Sequence, residues 1–451
     1  MGFIPHSDAE RAEMLRAIGV ERLEDLFQGV PDERRFPALG LPPPVSQPEL
    51  AAEMRALAAR NIALQDRPCF LGAGVYRHYR PATVDYVLQR GELATSYTPY
   101  QPEISQGMLQ AMFEFQTMVC RLTGMEVSTA SHYDGATSLA EAVLLSLAAA
   151  SHRRSRIVVS PTVHPQRRQV VRTYLAGTSA KIVGDDAGPS CPTRRLVALV
   201  DADTAALVVQ SPDFLGQFED LREMSAACRE AGALLVVATD PIALGLFEPP
   251  GASGADIVVA DGQGLGLPPT FGGPSLGIFA ARRELVRRLP GRLVGETTDA
   301  KGRRGYVLTL ATREQHIRRA RATSNICTNA ALGALAASVY LATLGKRGLR
   351  HVAELCYHKS HYAAAQIARL PGVTINPQAP SRPFFKEFVV QLPRPTRQVN
   401  EILLNDFGIV GGFDLGEAYE GLSSHALIAV TETITRADID RLVDGLRAAI
   451  R

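Results

Sequence analysis

The chain has 451 residues, which is too many for one hydrophobic core and predicts two or three domains. Its hydrophobic content of 46% and charged content of 21% are typical of a globular protein. A net charge of +2 is too small to indicate binding to nucleic acid or to an anionic membrane. The six cysteines have no metal-ligand spacing, so no metal site is expected.

Residues 1–66 are predicted to form a helical arm. Ser7 can cap the helix "DAERAEMLRAIG", a Pro-rich connector follows, and "LAAEMRALAARN" has apolar residues at helical spacing. Such an arm either wraps a partner subunit or caps its own domain, and the sequence leaves both open. The first residues lack the apolar stretch of a signal peptide, and no apolar run reaches the roughly 20 residues of a membrane span, so we expect a cytoplasmic protein.

Residues 67–330 alternate between helical and strand patterns. Helices are predicted over 107–124 and 138–155, and β-branched runs predict strands at 156–160, 181–184, 205–212, 233–241, 256–262 and 275–281. This alternation predicts an α/β domain with a large, mostly parallel, doubly wound sheet.

Residues 331–451 are expected to form a smaller α+β domain. A long apolar helix comes first, strands lie around "FKEFVVQL" and "ALIAVTET", and Thr435 caps a terminal amphipathic helix. An arm, a large α/β domain and a small C-terminal domain together resemble the fold-type I enzymes that depend on pyridoxal phosphate (PLP). That likeness concerns the fold and does not by itself give a function.

Two stretches match the positions where such an enzyme holds its cofactor. Gly135, Ala136 and Thr137 begin a helix, and the free N–H groups there can bind a phosphate, although an ordinary N-cap formed by Thr137 or Ser138 explains them equally. Asp240 ends a strand, where a carboxylate can pair with a pyridinium nitrogen or simply form a turn.

The lysine that would form the Schiff base is absent. The strand "DIVVADG" is followed by Gln263 and Gly264, and the chain has only five lysines, none of them at this point. An amine nucleophile is required for this chemistry, so a self-sufficient PLP enzyme such as an aminotransferase or desulfurase is disfavoured.

Residues 97–103 form the most unusual loop. Tyr97, Tyr100, Gln101 and Glu103 alternate with prolines that stiffen the backbone, so the loop can orient a small zwitterion or can be a plain polar connector. Further on, "TREQHIRRARATSNICTN" predicts a helix that opens with a capping box at Thr312. Its arginines, Arg313 among them, fit a carboxylate or an acidic partner, or else a solvated helix.

These motifs together resemble the P-protein family of the glycine cleavage system in its split bacterial form. The resemblance spans essentially the whole chain and is carried by "SHYDGATSLAEA", "DIVVADGQGLGLPPTFGGP" and "LVGETTDAKGRRGYVLTLATREQHIRRARATSNICTN". It implies that this chain is the subunit without the lysine, and that PLP is held by a sister chain, glycine dehydrogenase subunit 2. The residues Gly135, Ala136, Thr137, Asp240 and Gln263 would then be relics of a cofactor site.

The resemblance also implies an activity and partners. Glycine is decarboxylated, and its aminomethyl group passes to the lipoyl arm of the H-protein, within a two-plus-two heterotetramer. Tyr97, Tyr100, Gln101 and Glu103 are our candidates for residues that reach the shared site, and Arg313 and Asn325 are candidates for substrate or partner contacts. The alternative is a scaffold that only stabilises the sister subunit.

Overall fold

The computed structural model describes residues 5–64, 66–94, 98–151 and 153–451. The α-helices are α1 Asp8–Ile18, α2 Gln47–Ala58, α3 Ala82–Leu88, α4 Gly91–Ala94, α5 Gln106–Thr123, α6 Gly135–Ala149, α7 Pro165–Leu175, α8 Thr193–Val197, α9 Leu221–Ala231, α10 Gln315–Arg318, α11 Ala331–Ile367, α12 Thr396–Phe407 and α13 Arg436–Ala449. The strands are β1 Val127–Ser128, β2 Arg156–Val159, β3 Lys181–Val183, β4 Thr204–Gln210, β5 Leu234–Thr239, β6 Ile257–Asp261, β7 Gly277–Ala281, β8 Val294–Thr298, β9 Arg304–Leu308, β10 Thr374–Ile375, β11 Glu387–Gln391, β12 Phe413–Asp414 and β13 His425–Ala429.

The large sheet contains seven strands in the order β1-β7-β6-β5-β4-β2-β3. Strands β2 to β6 pair in parallel, with Val208 opposite Val236 and Val237 opposite Val258. Strand β7 is antiparallel to both β6 and β1. The six predicted strands are therefore confirmed, as is the mostly parallel sheet.

Both faces of this sheet are covered by helices, as expected for parallel strands. Leu207 and Val209 of β4 pack with α5, α9 and α11 on one face, while Ala206 and Val208 pack with α6 and α7 on the other. These central strands are buried on both sides, which is why they read as continuous apolar runs rather than as alternating ones.

The C-terminal part carries a four-stranded antiparallel sheet in the order β10-β11-β13-β12. The terminal helix α13 starts at the predicted cap, because the Thr435 side chain accepts from the Asp438 N–H and Asp438 binds back to the Thr435 backbone. Helix α11 is broken at Gly345, where φ is 59°.

The chain divides into two compact units, residues 1–63 and residues 64–451. Helix α1 of the first unit is capped by Ser7 and ends at Gly19, as predicted. None of the described residues among 5–63 is buried. The predicted division into 1–66, 67–330 and 331–451 stays a prediction.

Strands β8 and β9 form a hairpin that the sequence analysis did not predict. Two local predictions were wrong. Helix α6 is capped by Asp134, whose side chain accepts from the Thr137 N–H, so neither Thr137 nor Ser138 is its cap. The predicted helix at Thr312 is a single α-turn, α10, because Arg319 adopts a positive φ and ends it.

Candidate functional site

Two adjoining cavities lie at the carboxyl ends of β4, β5 and β6, where doubly wound sheets bind ligands. Gly74, His164, Arg167, Asp261 and Gln263 line both of them. The inner cavity, which also touches Asp240, has a volume of only about 40 Å³. The adjoining cavity, lined also by Asp134 and Ala136 at the start of α6, measures about 190 Å³. Ordinary small-molecule pockets measure about 300–1,000 Å³, so the inner cavity beside Asp240 has little room for a ligand.

Gln263 and Gly264 follow β6 at the place where a Schiff-base lysine is expected, and of the two only Gln263 has a side chain. Its amide oxygen accepts from the Tyr76 N–H at 2.9 Å, and its amide nitrogen donates to the carbonyls of Tyr76 at 3.0 Å and Leu267 at 2.8 Å. The side chain is buried and fully used. These three bonds join the Gln263 amide to the backbone of Tyr76 and of Leu267.

The N-terminus of α6 is occupied by the chain's own carboxylates. The Gly135 N–H donates to Asp261 Oδ2 at 3.0 Å, and the Thr137 N–H donates to Asp134 Oδ1 at 2.8 Å. A Cβ at Gly135 would lie 2.9 Å from the Asp261 backbone nitrogen, so only glycine allows this approach. Two of the donors that could bind a phosphate, the N–H groups of Gly135 and Thr137, therefore have carboxylate acceptors, and a phosphate would meet two negative charges.

Asp240 is also satisfied from within the chain. The Lys386 ammonium lies 2.6 Å from Asp240 Oδ2, 3.1 Å from His78 Nε2 and 3.4 Å from the centre of the Tyr76 ring. Burial is the largest single effect and raises the pKa of Asp240, but the charge and hydrogen bond of Lys386, together with His78 and the Ile242 N–H, outweigh it, so the pKa lies below its usual value. Lys386 therefore stands where a pyridinium nitrogen would be expected.

The surroundings of Lys386 form a continuous buried polar network. His78 Nδ1 pairs with Glu432 Oε2 at 2.7 Å, and the Tyr76 hydroxyl donates to Glu387 Oε2 at 2.7 Å. Burial raises the pKa of Glu387 to about 7, against the opposing effects of Tyr76 and Lys386. With no lysine at Gln263 or Gly264, carboxylates on the N–H groups of Gly135 and Thr137, and Asp240 paired with Lys386, these residues do not fit PLP.

The described residues of the tyrosine loop, Tyr100, Gln101 and Glu103, line neither of these cavities. Tyr97 is outside the described residues. The Tyr100 hydroxyl accepts from Arg292 at 2.5 Å, the guanidinium lies 4.9 Å from the centre of its ring, and the ring is otherwise exposed. Gln101 and Glu103 are exposed, and their side chains form no hydrogen bond or ion pair with any described residue.

Arg292 joins this loop to the segment around residue 313. It is only 2% exposed, forms an ion pair with Glu314 and donates to the Cys327 carbonyl. The Cys327 N–H in turn donates to the Tyr133 hydroxyl at 3.1 Å. The structure thus brings Tyr100 and the segment containing Arg313 to the same part of the molecule.

Arg313 is held by backbone carbonyls. It donates to those of Leu310 at 3.0 Å, Gly291 at 3.1 Å and Leu289, and burial lowers its pKa to about 10. Asn325 is exposed, and its side chain bonds to no described residue.

Comparison with known proteins gives a consistent result. Residues 1–446 match the family model described as glycine cleavage system P-protein. The chain belongs to the glycine cleavage system P-protein family. Proteins named glycine dehydrogenase (decarboxylating) subunit 1 are 53% identical in Thermomicrobium roseum, covering 100% of both chains, and 52% identical in Geobacillus kaustophilus, covering 98% of both.

Solved structures place the P-protein family in the predicted fold class. A crystal structure of a glycine decarboxylase (P-protein) in inhibitor-bound form is 45% identical, covers 100% of both chains and superposes with a TM-score of 0.89. A sphingosine-1-phosphate lyase and a NifS-like protein share only the fold, at 17% and 14% identity with TM-scores of 0.66 and 0.61. The predictions of a fold-type I PLP-dependent architecture and of an enzyme of this family are confirmed.

The relatives' designation as a numbered subunit implies a partner chain for this member of the P-protein family. In the part of the chain that the structure describes, no helix combines the length and the apolar character that crossing a bilayer would require.

Sequence reasoning missed several residues of these two regions. Lys386 and Asp261 complete the filled cofactor position, and Arg292 and Tyr133 support the tyrosine loop. Asp261 is the last residue of β6, two positions before Gln263, so its place at the strand end is a sequence signal that could have identified it. No local signal connects Lys386 with Asp240 or Arg292 with Tyr100.

Proposed function

We propose that this chain is the subunit of a decarboxylating glycine dehydrogenase that does not bind PLP. A sister subunit carries PLP, which supplies the means to stabilise negative charge after CO2 leaves glycine. The aminomethyl group then passes to the lipoyl arm of the H-protein. The observation that carries this proposal is the set of internal bonds at the cofactor-like position. Gln263 and Gly264 follow β6 where a lysine is expected, the Asp261 carboxylate accepts from the Gly135 N–H, and Lys386 pairs with Asp240.

In this proposal the chain contributes the loop of Tyr97, Tyr100, Gln101 and Glu103 to a site shared with the sister subunit. Arg292 fixes the Tyr100 phenol by a hydrogen bond and by contact with its ring, so its orientation is set before glycine binds. Gln101 and Glu103 are exposed next to it, and can therefore offer an amide and a carboxylate to the glycine ammonium or its surroundings. The assembly would be a cytoplasmic two-plus-two heterotetramer.

The first experiment separates the two chains. We expect glycine decarboxylation with lipoylated H-protein only after co-expression with the sister subunit, and borohydride reduction should attach PLP to the sister chain alone. PLP reduced onto this chain would instead identify it as a self-sufficient enzyme, and Lys386 would be the first residue to examine.

The second experiment tests the loop. Tyr100→Phe combined with Glu103→Gln should reduce glycine–bicarbonate exchange by about a hundredfold or more, since orienting groups typically contribute factors of this size. Tyr79→Phe with Glu420→Gln is a matched control, because both of those residues are exposed and their side chains form no hydrogen bond or ion pair with any described residue. Unchanged exchange in the loop variant, with intact assembly, would favour the scaffold alternative.

A further inference from the structure

Five arginines line one surface cavity that no part of the proposed catalytic loop occupies. The cavity has a volume of about 370 Å³ and lies between the turn Arg283–Arg288 and the segment 310–323. Its walls also include the hydroxyl-bearing Thr312 and Thr323. The five arginines are Arg287, Arg288, Arg313, Arg318 and Arg321.

The positive charge in this cavity is not balanced within the described chain. Four of the five arginines are exposed, and their guanidinium groups form no ion pair or side-chain hydrogen bond with any described residue. Arg313 is half-buried and bound only to carbonyl oxygens, so it adds a charge without neutralising one. Glu314 is the carboxylate next to Arg313 in sequence, but it forms its ion pair with Arg292.

Such a cluster costs free energy in the isolated subunit, because like charges repel and each unpaired guanidinium seeks an anionic acceptor. The guanidinium fork matches a carboxylate through two parallel hydrogen bonds, which makes a carboxylate-rich surface its natural complement. The cavity is therefore suited to an acidic ligand.

Two features favour a protein surface over a small anion. Ile317, which lies between Arg313 and Arg318 on α10, is an apolar side chain with 51% exposure. Arginine together with exposed apolar side chains is the composition of protein interfaces. The same short helix carries His316, whose ring lies 6.2 Å from that of Tyr100, so a partner docked here would be beside the proposed catalytic loop.

We propose that the arginine cavity docks an acidic surface of the protein that carries the lipoyl arm. This inference rests on the proposed function, because it assigns that carrier a binding surface on this subunit. It also predicts that the contacted surface of the carrier is rich in Asp and Glu. Docking there would bring the lipoyl arm to the entrance of the shared site while leaving glycine binding to other residues.

The test uses the assembled enzyme with Arg287→Ala and Arg288→Ala combined. Removing two interfacial charges should raise the KM for lipoylated H-protein by about tenfold or more and should weaken its dependence on salt. The KM for glycine and the rate with free lipoamide as acceptor should stay within about twofold, because neither requires the docking surface. Arg194→Ala with Arg195→Ala is the control, since these adjacent exposed arginines also lack partners among the described residues and lie on the short helix α8.

The outcomes are distinguishable. An unchanged KM for the carrier would overturn the inference, and so would loss of assembly with the sister subunit, which would make the cavity a subunit contact. Inorganic phosphate that inhibits equally with lipoamide and with H-protein as acceptor, and only when the arginines are present, would overturn it in favour of a small-anion site. If the proposed function itself is wrong, the unmodified assembly would be inactive with both acceptors.

Discussion

At the residue scale, the side chains at the cofactor-like position bond to one another within the protein. The pair of Asp240 and Lys386 is the most informative, because Lys386 is only 2% exposed and its ammonium contacts Asp240, His78 and the face of Tyr76. A buried ion pair of this kind is costly to break from one side, since the remaining charge keeps no partner. The stability of this region therefore depends on retaining both partners or neither.

We predict that Lys386→Met destabilises the chain by about 3–5 kcal/mol, because it leaves Asp240 buried without its cation. Adding Asp240→Asn to the same chain should restore most of that loss. Thermal and urea unfolding of the two variants would measure this, with Lys301→Met, an exposed lysine, as the control. Equal destabilisation in the single and double variants would mean that packing around Lys386, and not its charge, matters.

At the element scale, the N-terminal arm stands out because it has helices but no buried core. Ser7 and Ser46 each form a capping box, so α1 and α2 are locally well specified. Yet large apolar side chains such as Phe36, Leu39 and Leu41 are exposed. The capping boxes therefore specify α1 and α2 locally, while neither helix has a buried residue.

We predict that the arm packs on a partner subunit and is not a cap of its own domain. Deleting residues 1–63 should leave the melting temperature of the remaining chain within a few degrees of the full chain, and should weaken association with the sister subunit by about tenfold or more, since apolar burial dominates such contacts. Differential scanning calorimetry and analytical ultracentrifugation measure the two quantities. A large fall in melting temperature with unchanged association would support the capping alternative.

At the scale of the whole molecule, buried carboxyl groups make stability depend on pH. Burial raises the pKa of Glu141 to about 7 and that of Glu387 to about 7. In the unfolded chain these groups ionise near pH 4.5. Between those values the folded state holds protons that the unfolded state has released, so stability is fully present below pH 4.5 and is lost as the pH rises to 7.

We predict that the share of the free energy of unfolding contributed by Glu141 and Glu387 falls between pH 5 and pH 7, by up to roughly 3 kcal/mol for each group. Burial lowers the pKa of His132 and of His164 to about 4, and these two groups act in the opposite direction. Glu387→Gln should remove the share of that carboxyl, since an amide does not ionise. Urea unfolding at several pH values would measure the resulting change in slope, and Glu420→Gln, at an exposed position, should behave like the unmodified chain. An identical slope in Glu387→Gln would show that this carboxyl does not carry the effect.

The sequence by itself determined the strands, most of the helices and the absence of a Schiff-base lysine. These features are local. In the run 234–239, the β-branched residues Val236, Val237 and Thr239 favour an extended backbone. Thr435 caps α13 by accepting from the N–H of Asp438, three residues away. The presence of Gln263 after β6 needs no structure to be read. Motif resemblance then indicated the family.

Only the tertiary structure shows which side chains meet at the cofactor-like position and how the arginines are grouped. Lys386 meets His78 across 308 residues, and Asp261 meets Gly135 across 126. The cavity brings Arg287 and Arg288 to arginines of a later segment that sequence predicted to be one helix and that is broken at Arg319. Such encounters follow from how distant elements pack, and helical or strand periodicity reports only which face a residue shares with its near neighbours.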